Sequence, residues 1–165
     1  MSFRQWYDGR ISEAKGRLKI VILGSYCLID RLRELKRYLI GNGYKETRLV
    51  ADFSYPNKES WESDEEYNYR KSTMVIKYGQ VFIFVFFDNV ENQGVVTEID
   101  FLAHKAQQKT QFSKVLIEDS YRDKLSSMVV GLMRLHKIDH ALFKDDNELK
   151  KLAHGACFRC LHMLM

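Results

Sequence analysis

Few residues in this chain have types and spacing suited to covalent chemistry, and most of them lie between Asp88 and Glu98. This segment joins a strongly apolar run to a helical pattern. Gly94 suits the turn that starts a helix, and Glu98, four residues later, then falls in the first helical turn. A helix N-terminus stabilises a carboxylate there as an anion. An ionised, well-held carboxylate is what nucleophilic attack on an anomeric carbon requires. Glutamate is also common in the first turn of any helix, so position alone supports a structural reading too.

Other constellations are weaker. His154, Cys157, Cys160 and His162 have the close pairing that zinc sites use. They lie within one helical pattern, which cannot turn all four toward one ion, and both cysteines fall on or near its apolar stripe. They read as core residues. Cys27 lies just past Gly24-Ser25-Tyr26 with no base nearby in sequence, and reads as structural. Trp61, Tyr67, Tyr69 and Arg70 gather near the only proline, Pro56. Packing of a loop and helix over the sheet edge accounts for them; a loop there could also act as a lid. Neither GxGxxG nor GxxxxGK[ST] is present, which argues against dinucleotide dehydrogenases and P-loop NTPases. No metal and no other cofactor is called for.

The elements that must position these residues alternate between strand and helix. Residues 2–16 form a helical extension carrying Phe3, Trp6, Tyr7 and Ile11. Strands are expected at 19–23, 47–53, 81–87, 114–118 and 138–143. Val81–Phe87 is continuously apolar, the pattern of a central strand covered on both faces. Helices follow at 28–39, at 63–78 behind a Ser63/Glu66 capping box, from Val95 to Ala106, at 125–132 and over 145–165. Five strands with intervening helices predict a single flavodoxin-like, Rossmann-like α/β domain over 1–165. Its three-layer sandwich would carry a parallel sheet in the order 2-1-3-4-5. Ligands of such folds bind where the winding reverses, between strands 1 and 3. That crevice would be lined by Gly24, Ser25 and Tyr26 and by the Asp88–Glu98 segment.

Composition narrows the class of protein. The 165 residues suit one domain. With 13% aromatics and one proline the chain is not low-complexity. No apolar run approaches the roughly 20 residues of a membrane-spanning helix. The N-terminus lacks the apolar core of a signal peptide, and three cysteines do not make a secreted disulfide scaffold. A cytoplasmic setting is the expectation. Net charge is +4, but Lys and Arg are interleaved with acids rather than gathered in a patch, so no specific nucleic-acid partner is expected.

The stretch Val81–Lys105 resembles the nucleoside 2-deoxyribosyltransferase superfamily. The resemblance lies in the apolar strand VFIFVFF, then Asp88, Gly94, and Glu98 followed by an apolar helix with Ile99, Phe101, Leu102 and Ala103. The first strand, ending in Gly24-Ser25-Tyr26, is similar to the family's opening strand, and the likeness spans residues 18–119. TIR-like nucleotide-binding domains share the same strand–loop–helix glutamate. The resemblance implies a small-molecule nucleoside or nucleotide ligand and Glu98 as nucleophile at C1′. Asp88 or Tyr26 would help protonate the departing base, and Gly24, Ser25, Asn92, Gly94 and Arg70 would contact substrate. A homo-oligomer is a further implication, because the superfamily often builds sites at subunit contacts. The alternative is a TIR-like nucleotide-sensing or protein-interaction module without significant catalysis. Two departures bear on substrate. Asn92-Gln93 stand where the transferases carry acids, and Arg70, Lys71 and Ser72 occupy the region of a family aspartate. Gained cations favour an anionic ligand, such as a nucleotide phosphate, over deoxyribosyl exchange.

Overall fold

The computed structural model of the protein describes residues 1–165. Helix α1 (Phe3–Arg17) precedes β1 (Ile20–Leu23), α2 (Ile29–Gly41) and β2 (Thr47–Leu49). Then follow α3 (Asp64–Tyr78), β3 (Val81–Phe86), α4 (Gln93–Lys105), β4 (Ser113–Glu118), α5 (Ser127–Leu135), β5 (Asp139–Phe143) and α6 (Asp146–Leu164). All four strand pairings are parallel, and the sheet order is β2-β1-β3-β4-β5. This is the expected doubly wound order. No helix is long and apolar enough to cross a membrane.

Strand β3 shows how the two faces are filled. Side chains alternate across a strand. Val81, Ile83 and Val85 join a core with Leu35 and Leu39 of α2 and Ala153, Cys157 and Cys160 of α6. Phe82, Phe84 and Phe86 join the opposite core, with Val75 and Ile76 of α3, Ile99 and Leu102 of α4 and Val129 of α5. Every residue of β3 is buried, so its apolar run is explained by two covered faces. The buried cysteines take their expected place in the first core. Burial there pushes the Cys157 thiol far up, which keeps it a neutral, inert group. His154 packs edge-on against Tyr38 and Tyr44.

Several boundaries differ from expectation for local reasons. Strand β2 stops at Leu49 rather than Phe53 because Val50–Asp52 turns into a short helix. Asp52 Oδ2 accepts from the Leu49 amide at 2.8 Å and pairs with Lys36 Nζ at 2.6 Å, which locks that turn. Ser126 and Asp145 cap α5 and α6, accepting from the Val129 and Glu148 amides. Those caps place the helix starts at Ser127 and Asp146. Ser63 caps α3 by accepting from the Glu66 amide. Helix α1 carries a full capping box between Ser2 and Gln5 but buries no residue. Its Phe3, Trp6 and Tyr7 stay exposed, and only Ile11 and Ala14 pack against the core.

Gly79 joins α3 to β3 at a point of close approach. A Cβ there would lie 2.6 Å and 2.7 Å from the Phe82 ring and 3.0 Å from Val21 Cγ2. Phe82 is fully buried and cannot swing aside. Gly79→Ala is therefore expected to cost about 1–3 kcal/mol of overpacking strain. Urea unfolding should show a lower midpoint with an unchanged slope.

Candidate functional site

A cavity of about 490 Å³ opens between α3 and α4, beyond the carboxyl end of β1. This is the switch point between β1 and β3, where α2 leaves for one face of the sheet and α4 for the other; α3 and α4 flank the cavity on the same face. Each helix contributes one stripe. On α4, Gly94, Thr97, Glu98 and Phe101 recur at i, i+3, i+4 and i+7 and border the cavity. The opposite stripe of α4, with Val95, Ile99 and Leu102, is buried on the sheet. On α3, Asn68, Lys71, Ser72 and Val75 repeat the same spacing and form the facing wall. Leu23 and Tyr26 close the β1 end, and Val50 and Tyr55 close the side after β2.

Glu98 has no hydrogen-bond or ion-pair partner within the chain. Burial, with nothing to offset it, raises its carboxyl from an ordinary 4.5 to about 7. This corrects the expectation of a helix-stabilised anion. Helix α4 starts at Gln93, so Glu98 lies in its second turn, and the dipole effect fades within the first. The exposed hydroxyl of Tyr26 stands close enough that the Glu98 charge, after burial, helps raise it. Tyr26 thus stays a neutral donor, free of any partner in the chain. Tyr55 is raised by the same kinds of influence. Its hydroxyl donates to the Val50 carbonyl at 2.7 Å, which leaves its ring to form a wall.

The expected site residues divide into two groups. Glu98, Tyr26 and Gly94 meet around one cavity. Gly94 does so inside the helix with an ordinary negative φ, so the start of α4 needs no special glycine turn. A Cβ at Gly94 would meet nothing within 4 Å, and the glycine leaves the cavity open there.

The others are held elsewhere. Asp88 is paired with Lys124 at 2.8 Å, which with Ser120 keeps its carboxyl well below the usual range. It does not border the cavity, and as an ion-paired carboxylate it is unsuited to donating a proton at neutral pH. Arg70 lies about 100° around α3 from Lys71. It turns from the cavity to grip Glu62 Oε1 at 2.8 Å and Oε2 at 2.9 Å and the Asn57 carbonyl at 3.0 Å. Its work is to pin the Pro56 loop. Ser25 is buried and caps the turn at Tyr26–Leu28 by accepting from the Cys27 amide. Gly24 packs against Leu32, where a Cβ would approach Cδ2 to 2.8 Å. Asn92 is buried and braces the strand-to-helix turn, its Nδ2 donating to the Phe87 and Val90 carbonyls.

The sequence alone did not single out Tyr55 or the α3 stripe as a unit, and held Glu91 only as part of the Asp88–Glu98 segment. Glu91 is an exposed second carboxyl on the cavity rim. The signal for the stripe was present: Asn68, Lys71, Ser72 and Val75 are a mixed polar and apolar face at helical spacing. Lys71 is the one cationic side chain that borders the cavity. Its Nζ rests 4.7 Å from the Tyr67 ring centroid and 5.5 Å from that of Tyr55, with no carboxylate partner.

No family model matches the sequence, and no curated protein matches it. Solved structures do. The chain shares its fold with a nucleotide N-glycosidase. The similarity to the CMP N-glycosidase BcmB of Clostridium botulinum has a TM-score of 0.51 at 16% identity, over 82% of this chain and 98% of that one. A conserved protein from Enterococcus faecalis V583 is similar with a TM-score of 0.52 at 13% identity, over 81% and 95% of the two chains. At such identities the likeness is one of fold.

Proposed function

We propose that this protein binds a nucleotide and cleaves or transfers at its N-glycosidic bond, with Glu98 as the nucleophile. The observation that carries this reading is the unpartnered Glu98 carboxyl at the switch-point cavity, facing a wall that holds a free lysine. A carboxyl raised by burial and left without a partner is a poor structural choice and a common catalytic one. The CMP N-glycosidase with the same fold supports the choice of bond.

In this reading the base lies among the rings of Tyr55, Phe101 and Tyr26. Lys71 takes the phosphate. Ionised Glu98 attacks C1′, and the C1′–N electron pair leaves with the base. Tyr26, a neutral donor where Asp88 is an ion-paired carboxylate, protonates it. Water or a second base then attacks C1′ of the glycosyl ester and frees Glu98, the double displacement of retaining glycosidases. Tyr26 orients the carboxylate through its hydroxyl.

The test is incubation with nucleoside 5′-monophosphates, deoxynucleosides and NAD, with chromatography for free base. Release from at least one phosphorylated compound is the expected result. Nucleotide binding without release from any of them would shift the reading to a nucleotide-sensing module.

A further inference from the structure

A second cavity, of about 380 Å³, lies on the same side of the sheet between α5 and the edge strand β5. Its floor is apolar: Ile117, Met133 and Ile138 are each nearly fully buried, and Leu142 adds to them. Its lip carries Arg122, Arg134, Lys137 and His140, and no carboxylate borders it. Arg122 lies 3.7 Å from the exposed Asp123, whereas Arg134 and Lys137 have no ion-pair partner. Asp139, the nearest acid in sequence, turns to the opposite face of the sheet. It is held there by Lys114 and Arg159.

The backbone of the lip is unusual. Helix α5 ends in a Schellman motif: Ile138 N–H donates to the Met133 carbonyl and Lys137 N–H to the Arg134 carbonyl. The residue after the cap must be left-handed, and glycine normally fills it. Here it is Lys137, at φ 54°. A lysine in that conformation is strained relative to glycine. The motif also aims Met133 and Ile138 together at the cavity floor. A local rule broken without a local gain points to a function for the side chain.

We propose that this cavity binds a small organic anion with an apolar body, its carboxylate or phosphate head held by Arg134 and Lys137. A ligand of this class covers the apolar floor while its head meets two unpaired cations, which neither an inorganic anion nor a neutral apolar molecule does. The site is separate from the Glu98 cavity, with which it shares no residue.

Octanoate and phenyl phosphate are suitable probes, with octanol, phenol and inorganic phosphate as controls. Amide chemical shifts on titration report both place and affinity. The expected result is saturable shifts over Met133–Leu142 with at least one anionic amphiphile, and at least about tenfold weaker binding of all three controls. Lys137→Gly should weaken that binding by a similar factor while leaving the thermal midpoint unchanged or higher, because it relieves the strained turn. Arg134→Gln is the second variant and should weaken binding without touching the turn. Equal binding of the neutral analogues, unaltered binding in both variants, shifts confined to the Glu98 cavity, or no binding of either probe would overturn the proposal. Base release by the Lys137→Gly protein should match the unaltered protein, which separates this site from the one above.

Discussion

Glu98→Gln is expected to abolish base release and, at the same time, to make the protein more stable. The first effect follows from chemistry. Glutamine keeps the shape of the side chain but has no nucleophilic oxygen anion, so the covalent route closes. A loss of at least about 1000-fold, or roughly 4 kcal/mol of barrier, is the expectation. The second effect follows from linkage. The Glu98 carboxyl titrates near 7 in the folded chain against 4.5 ordinarily. Between those values the folded state holds a proton that the unfolded state has released. Stability therefore falls as pH rises from about 4.5 to about 7 and is level above, with a total penalty of about 3 kcal/mol. Glutamine carries no such penalty. Urea unfolding should show Glu98→Gln stabilised by up to about 3 kcal/mol at pH 8 and by almost nothing at pH 4. On the proposed reading, kcat/KM of the unaltered protein should rise with pH through an apparent pKa near 7, the acid limb of a carboxylate that must ionise before it attacks. A residue that merely fills the helix face would give neither the gain at pH 8 nor the loss of chemistry.

The sheet order was legible because its signals are non-local in consequence but local in sequence. An apolar run such as Val81–Phe87 can only be covered on both faces, and alternation with helices then leaves few topologies. The switch point followed from that order, and with it the neighbourhood of Glu98 and Tyr26. What stayed hidden depends on rotation by one residue. Arg70 and Lys71 are equivalent as letters, yet a turn of about 100° sends one to Glu62 and the other to the cavity. The start of α4 mattered in the same way. Starting the helix at Val95, after a Gly94 turn, makes Glu98 its fourth residue, within reach of the helix dipole; starting it at Gln93 makes Glu98 the sixth, in the second turn, where burial wins. The ion pair of Asp88 is not legible in sequence because its partner, Lys124, is 36 residues away and reaches it through the turn after β4.

Lys71→Met is expected to separate phosphorylated from unphosphorylated substrates. Methionine keeps much of the stem that packs between Tyr55 and Tyr67 and removes only the charge. A hydrogen bond to a charged partner contributes about 1.5–3 kcal/mol. Its loss should raise KM for a nucleoside 5′-monophosphate by roughly 10- to 100-fold. The KM for the matching nucleoside should stay where it was, and kcat should change little, since the phosphate is bound equally in ground and transition states. Arg70→Ala supplies the contrast. Its guanidinium is already committed to Glu62 and Asn57, so it should lower the thermal midpoint without changing the preference for phosphate. The preference should also weaken with added salt in the unaltered protein, because Lys71 is only half-buried and its field is screened. If Lys71→Met leaves the two substrates equally affected, the cation on α3 is only a neighbour of the tyrosine rings, and the anionic ligand must be sought elsewhere. The charge that composition shows as a mild surplus of 26 basic over 22 acidic residues matters here through one side chain. On the proposed reading that side chain is available to a phosphate because it has no ion-pair partner in the chain.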